Sequence, residues 1–110
     1  MPLYLGRFRY TQDAIKAMVA NPQDRSAAAR EVVESLGGKL HGFWFTFGEY
    51  DGAFLAEAPD NTTAAAVAMA TGAAGVSIDT TVLLDMDEGQ EAMRKAATAT
   101  YRAPASSAIA

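Results

Sequence analysis

Two apolar stretches separated by a four-residue link constrain this chain most. Residues 39–47 read KLHGFWFTF and residues 52–58 read GAFLAEA, and such aromatic and aliphatic runs are typical of β-strands. The link is Gly48-Glu49-Tyr50-Asp51, with Gly52 directly after it. This composition favours a tight hairpin connection. The two stretches are therefore predicted to be antiparallel neighbours in one sheet.

The rest of the chain supplies two more strands and several helices. A helix is predicted to begin after Thr11, a plausible N-cap, and to be interrupted at Asn21-Pro22, because a residue before proline avoids the helical region. Gly37-Gly38 is the expected end of the next helix. The predicted ranges are 2–10 and 76–86 for the strands, and 23–36, 62–72 and 87–100 for the later helices.

The order of these elements indicates the fold class. The predicted order is strand, helix, strand, strand, helix, strand, followed by a C-terminal helix. Without that last helix, this is the split β-α-β arrangement of ferredoxin-like α+β folds. We expect a four-stranded antiparallel sheet with the helices on one face. A chain of 110 residues suits one domain, predicted over residues 1–101, followed by a disordered tail at 102–110.

The strands do not alternate apolar and polar residues, as a sheet with one wet face should. Phe43, Trp44, Phe45 and Phe47 would point to both faces of the sheet. Exposed apolar surface costs about 25 cal/mol per Å², so several wet aromatic side chains would cost several kcal/mol. We therefore expect a homodimer, or a higher homo-oligomer, in which two sheets meet face to face.

Composition excludes several classes of function. The chain has a net charge of −4, and its nine Lys and Arg residues form no cluster, which argues against nucleic-acid binding. No apolar run approaches the roughly 20 residues of a membrane span. The absence of cysteine rules out disulfides and thiolate metal sites, and it fits the reducing cytoplasm, where we expect the protein to be located.

The segment FGEYDGAFLAEAPDN resembles the signature of the GYD domain family, with Gly48, Tyr50 and Asp51 as the residues that give the family its name. Further matches span most of residues 3–86; they are Tyr10-Thr11, Gly37-Gly38-Lys39, Ala58-Pro59-Asp60 and Gly72 to Gly75. The resemblance implies a dimeric α+β barrel, and no activity is established for the family as a class. Arg7 and Ile78 depart from the family pattern.

The chain is also similar to the effector-binding domain of leucine-responsive regulators. That domain has a comparable Gly-x-Tyr-Asp hairpin, and Gly75-Val76 and Thr80-Thr81 match the strand that follows it. This second resemblance implies a small ligand bound near a subunit contact.

Arg7 and Arg9 are the strongest candidates for ligand binding. They share one face of a strand that should be central, where an unpaired charge would be costly. One interpretation is an ion pair across the dimer, with the candidate partners Glu57, Asp79 and Asp85. The other is a pocket for the carboxylate of a ligand.

Four other residues complete the candidate set, and each has a structural alternative. Tyr50 and Asp51 either shape the hairpin or contact a ligand at a pocket mouth. His41, the single histidine, is either structural or a general base, and it cannot form a multi-histidine zinc site. Trp44 either packs in the core or lines an aromatic cavity, and in a regular strand it would face away from His41.

Three functions remain open from the sequence. The first is a homodimer that binds a small organic acid or aromatic molecule, without metal or organic cofactor, between sheet and helices or at the subunit contact. Its pocket should reach Arg7, Arg9, His41 or Tyr50. The second is a cofactor-independent oxygenase, isomerase or lyase, with His41 or Asp51 as catalytic residues. The third is an assembly module without a ligand.

Overall fold

The computed structural model describes residues 1–104 of the chain and contains four strands and four helices. The strands are β1 (Leu3–Tyr10), β2 (Lys39–Phe45), β3 (Gly52–Glu57) and β4 (Val76–Leu83). The helices are α1 (Gln12–Ala20), α2 (Ser26–Ser35), α3 (Asn61–Ala73) and α4 (Met86–Thr98). The predicted α+β class and the order of elements are confirmed, with the first helical region divided into α1 and α2.

The four strands form one antiparallel sheet in the order β2-β3-β1-β4. β1 is therefore central, and it pairs with β3 on one side and β4 on the other. This is the strand order of a ferredoxin-like fold, as the sequence predicted. The hairpin between β2 and β3 is also confirmed, and Gly48 adopts the positive φ of +142° in its turn.

Side-chain caps fix where α1, α3 and α4 begin. The Thr11 hydroxyl accepts from the Ala14 N–H, and the Asp60 carboxylate accepts from the Thr63 N–H. Asp85 forms a capping box with Glu88 at the start of α4. The predicted fourth strand, 76–86, was therefore too long, because the chain leaves the sheet after β4 to cap α4.

The core lies between one face of the sheet and helices α2 and α3. Phe8 and Phe54 point from the sheet into this core, where they meet Val33 of α2 and Val67 of α3. The Phe8 and Phe43 rings stack with centroids 5.1 Å apart. Gly6 belongs to the same face, because the Phe54 ring occupies the space that a side chain at Gly6 would fill.

The opposite face of the sheet, here called the open face, carries no buried side chain. It is formed by alternate residues of the strands: Leu3, Leu5, Arg7, Arg9, Ala53, Leu55, Glu57, Ser77, Asp79, Thr81 and Leu83, with Lys39, His41 and Trp44 on β2. The prediction that both faces carry apolar residues is confirmed. Trp44, for example, is 55% exposed on the open face, while Phe43 packs in the core.

One detail of β2 was predicted wrongly. Its pairing with β3 shifts register between Leu40 and Gly42, so that a bulge contains His41. The bulge places His41 and Trp44 on the same face of the sheet, whereas a regular strand would place them on opposite faces.

The C-terminal part of the described chain is exposed. α4 buries none of its residues, and residues 101–104 have no regular structure. The remainder of the predicted tail, 105–110, lies outside the described residues. Within residues 1–104, no helix is both long enough and apolar enough to cross a membrane.

Candidate functional site

The most prominent feature of the core is a cavity between the sheet and helices α2 and α3, here called the sheet–helix cavity. Its volume is about 260 Å³, and it is partly open to solvent. The sheet side is aromatic, with Phe8, Phe43 and Phe54. An engineered cavity of about 150 Å³ already binds benzene, so this cavity has room for a larger apolar group.

Small side chains on the two helices leave this space. Ala28 and Ala29 of α2 and Ala70 of α3 line the cavity, as does Ala74, the residue after α3. An alanine side chain ends at Cβ, so the space between the helix backbones and the aromatic rings of the sheet is not filled. The small alanine side chains of these helices thus leave part of the space above the sheet unfilled.

Polar lining is confined to Tyr10, Arg25 and Thr71, with all other lining residues apolar. The Thr71 hydroxyl donates to the Val67 carbonyl at 2.9 Å, so it is already used within α3. Burial raises the pKa of the Tyr10 phenol, and the neighbouring Arg25 guanidinium acts in the opposite direction. Arg25 and Tyr10 thus form the polar part of an otherwise apolar site.

Arg7, Arg9 and Tyr50, three of the sequence-predicted residues, come together on the open face. The two guanidinium carbons lie 4.6 and 4.4 Å from the Tyr50 ring centroid, which is the geometry of a cation–π contact. The Tyr50 hydroxyl donates to the Asp79 carboxylate at 2.7 Å, and this hydrogen bond raises the pKa of the phenol.

Both arginines of this cluster have acidic partners in the same chain. Arg7 lies 3.9 Å from Asp79, and Arg9 lies 3.7 Å from Glu49. Arg9 also donates from Nε to the Glu49 carbonyl at 2.8 Å. Asp79 was expected as a partner across a dimer, whereas here the register of β1 and β4 pairs it with Arg7 of its own chain.

Asp51 occupies a structural position at the end of the hairpin. Its carboxylate accepts from the Tyr10 N–H at 2.8 Å, and its own N–H donates to the Phe8 carbonyl at 2.8 Å. The Asp51 carbonyl accepts from the Thr46 N–H at 2.9 Å. Asp51 thus fastens the turn to the central strand, and it also borders a shallow groove beside α1.

His41 and Trp44 lie on β2, away from the sheet–helix cavity. His41 Nε2 is 2.5 Å from the Glu57 carboxylate, and this hydrogen bond lowers the pKa of Glu57. The Trp44 ring covers Gly42, where an added Cβ would be 2.3 Å from the ring. Among residues 1–104, no group of three or more His, Cys, Asp or Glu side chains is arranged to hold a metal ion.

The structure thus divides the predicted site residues into separate groups. Arg7, Arg9 and Tyr50 form one cluster, His41 pairs with Glu57, and Trp44 and Asp51 stand apart from both. None of the six lines the sheet–helix cavity. Arg25 and Tyr10 were not predicted from the sequence as residues of this cavity. Arg25 could have been noticed because it directly precedes the alanine-rich start of a helix.

The fold and the cavity define this protein as a ferredoxin-like α+β domain with an apolar site in its core. The chain belongs to the GYD domain family, since the family model for the GYD domain matches residues 4–93. The predicted family is therefore confirmed. No curated protein and no solved structure gives a significant match to the chain.

Proposed function

We propose that this GYD-domain protein is a homodimer that binds a small organic molecule in the sheet–helix cavity. The observation that supports the proposal is the cavity itself, about 260 Å³ of largely apolar space between the sheet and helices α2 and α3. Solvent reaches this space, so an apolar occupant would remove its lining from water.

An apolar ligand would gain free energy by covering the lining of the cavity. The cavity is partly open to solvent, so the relevant term is the removal of apolar surface from water, about 25 cal/mol per Å². A ligand that covered on the order of 100 Å² of apolar lining would thus gain about 2.5 kcal/mol from the protein surface alone.

The homodimer is supported by the open face. Leu5 and Leu55 are neighbours at its centre, and Leu3 and Leu83 are neighbours at one end. Trp44 is 55% exposed, and covering its remaining apolar surface, on the order of 100 Å², would contribute about 2.5 kcal/mol. In a face-to-face dimer, the predicted ligand residues Arg7, Arg9, His41, Trp44 and Tyr50 would lie at the subunit contact.

A substitution that fills the cavity tests the ligand site. Ala29→Leu places three more carbon atoms in the cavity, whereas Ala27→Leu changes an exposed residue of the same helix that does not line it. The probe is 3-phenylpropan-1-ol, an uncharged aromatic alcohol, and binding is measured by ligand-observed NMR. We expect the wild type and Ala27→Leu to bind, and Ala29→Leu to lose binding. Equal binding by all three proteins would refute this location.

A charge on the open face tests the dimer. Leu55→Glu buries a carboxylate if a second copy covers the face, whereas Met69→Glu changes a residue of α3 that is 73% exposed and lies off the open face. Light scattering after size exclusion should give a dimer for the wild type and Met69→Glu, and a monomer for Leu55→Glu. A wild-type monomer at all concentrations would contradict the dimer.

A further inference from the structure

We infer that the ligand of the sheet–helix cavity is a monocarboxylate with an apolar body, bound through its carboxylate by Arg25 and Tyr10. This inference rests on the proposed function and adds the chemical class of the ligand. Arg25 is the single charged residue among those that line the cavity. A positive charge at the edge of an apolar space is suited to a ligand with one anionic end.

Arg25 combines partial burial with the lack of an acidic partner. Arg7, Arg9 and Arg94 each lie within 4.0 Å of an acidic side chain, whereas Arg30, which has no ion pair in the described part of the chain, is exposed. Arg25 donates instead to the neutral amide oxygen of Gln23 at 2.9 Å, and no ion pair within residues 1–104 includes it. Arg25 is thus half-buried, and no carboxylate of the described residues lies within 4.0 Å of its guanidinium.

The guanidinium and the phenol together provide matching donors. A guanidinium presents parallel N–H groups that bind a carboxylate in a bidentate manner, and such charged hydrogen bonds are stronger than neutral ones. Burial raises the pKa of Tyr10, so its hydroxyl stays protonated at neutral pH and can donate. Partial burial of Arg25 also reduces screening by water, which strengthens its attraction for an anion.

The remainder of the cavity selects an apolar body. Beyond Arg25 and Tyr10, the lone polar lining residue is Thr71, whose hydroxyl already donates to the Val67 and Ala68 carbonyls. A second acceptor group on the ligand would therefore find no free side-chain donor among the lining residues, although the Thr71 oxygen could still accept. The volume of about 260 Å³ accommodates an aromatic ring with a short side chain.

The test compares an acid with its uncharged analogue in the full chain. The probes are 3-phenylpropanoate and 3-phenylpropan-1-ol, and calorimetric titration gives the dissociation constant of each. The variants are Arg25→Gln, which removes the charge at the cavity, and Arg30→Gln, which removes an exposed charge of α2 that does not line the cavity.

We expect the wild type and Arg30→Gln to bind the acid about tenfold more tightly than the alcohol. In Arg25→Gln the preference for the acid should disappear while the alcohol binds as before, which also shows that the variant is folded. Two results would overturn this inference but not the proposed function. One is equal binding of acid and alcohol by the wild type, and the other is a preference for the acid that survives in Arg25→Gln. Binding of neither probe would overturn both.

Discussion

Removal of the Asp51 side chain tests whether this residue of the GYD signature is structural. The pairing of β1 with β3 ends at Phe8 and Gly52, so the Tyr10 N–H lies beyond the last partner in β3. The Asp51 carboxylate accepts from this N–H at 2.8 Å and thereby extends the hydrogen bonding of the central strand by one position. Asp51→Ala leaves the donor without this acceptor.

The magnitude follows from the type of hydrogen bond. A hydrogen bond to a charged group contributes about 1.5–3 kcal/mol. Because Tyr10 is only half-buried, water can replace part of this hydrogen bond in the variant. We therefore expect Asp51→Ala to lower the free energy of unfolding by about 2 kcal/mol. Asp51→Asn keeps a neutral acceptor oxygen and should lower it by about 1 kcal/mol.

The assay is urea denaturation followed by circular dichroism at one fixed protein concentration, since the proposed dimer would unfold in a concentration-dependent way. The control is Glu49→Ala in the same turn, which removes an exposed ion pair at 3.7 Å and should change stability by less than about 1 kcal/mol. If Asp51→Ala unfolded with the wild-type midpoint and slope, the structural role of the carboxylate would be wrong.

Two further predictions concern packing and pH. Gly6→Ala places a Cβ 2.2 Å from the Phe54 ring and should destabilise by about 1–3 kcal/mol in urea denaturation, whereas Gly72→Ala, with nothing within 4 Å, should stabilise slightly. The hydrogen bond from His41 lowers the pKa of Glu57 below the ordinary carboxyl value of 4.5. The ionised Glu57 therefore stabilises the folded protein above pH 4.5, and this stabilisation is lost as the pH falls through the pKa of Glu57 in the folded state. Glu57→Gln should remove that part of the acid-side decline in melting temperature; an unchanged pH profile would show that the pair contributes nothing.

The fold was predictable because local signals agreed with one another. Caps such as Thr11 and Asp60, the break at Pro22 and the hairpin turn at Gly48 each act over a few residues, so the sequence displays them directly. The strand order then follows from the order of the elements, since few topologies fit it. The end of the fourth strand was predicted too late because the apolar run up to Leu84 was extended through Asp85, although Asp85 with Glu88 three residues later is the pattern of a capping box.

The grouping of the candidate site residues was less predictable, because it depends on register. Strand alternation alone predicts that Arg7 and Arg9 lie on one face. The partner of Arg7, however, is Asp79, and only the register of β1 with β4 places these two residues opposite each other. The bulge at His41 has one local signal, the glycine at position 42 inside an otherwise apolar strand, and it reverses the relation of the His41 side chain to Trp44.

The cavity was the least predictable feature, since it is a volume that no side chain occupies. The alanines of α3 were expected to let the helix approach the sheet closely. Val67 belongs to the same buried cluster as Phe54, but Ala70 and Ala29 line unfilled space between the helices and the aromatic rings. Composition limits how much volume side chains can fill, whereas the separation of the helices decides whether a void remains.

The hairpin turn links the two surfaces on which the proposed function depends. Tyr50 lies between Arg7 and Arg9 on the open face, where a second copy would bind. The next residue, Asp51, holds the backbone of Tyr10, whose side chain lines the sheet–helix cavity on the other face. A displacement of the turn would therefore affect both Tyr50 on the open face and the backbone of Tyr10 beside the cavity. Under the proposed function, the Gly-x-Tyr-Asp segment would connect the ligand site with the subunit contact.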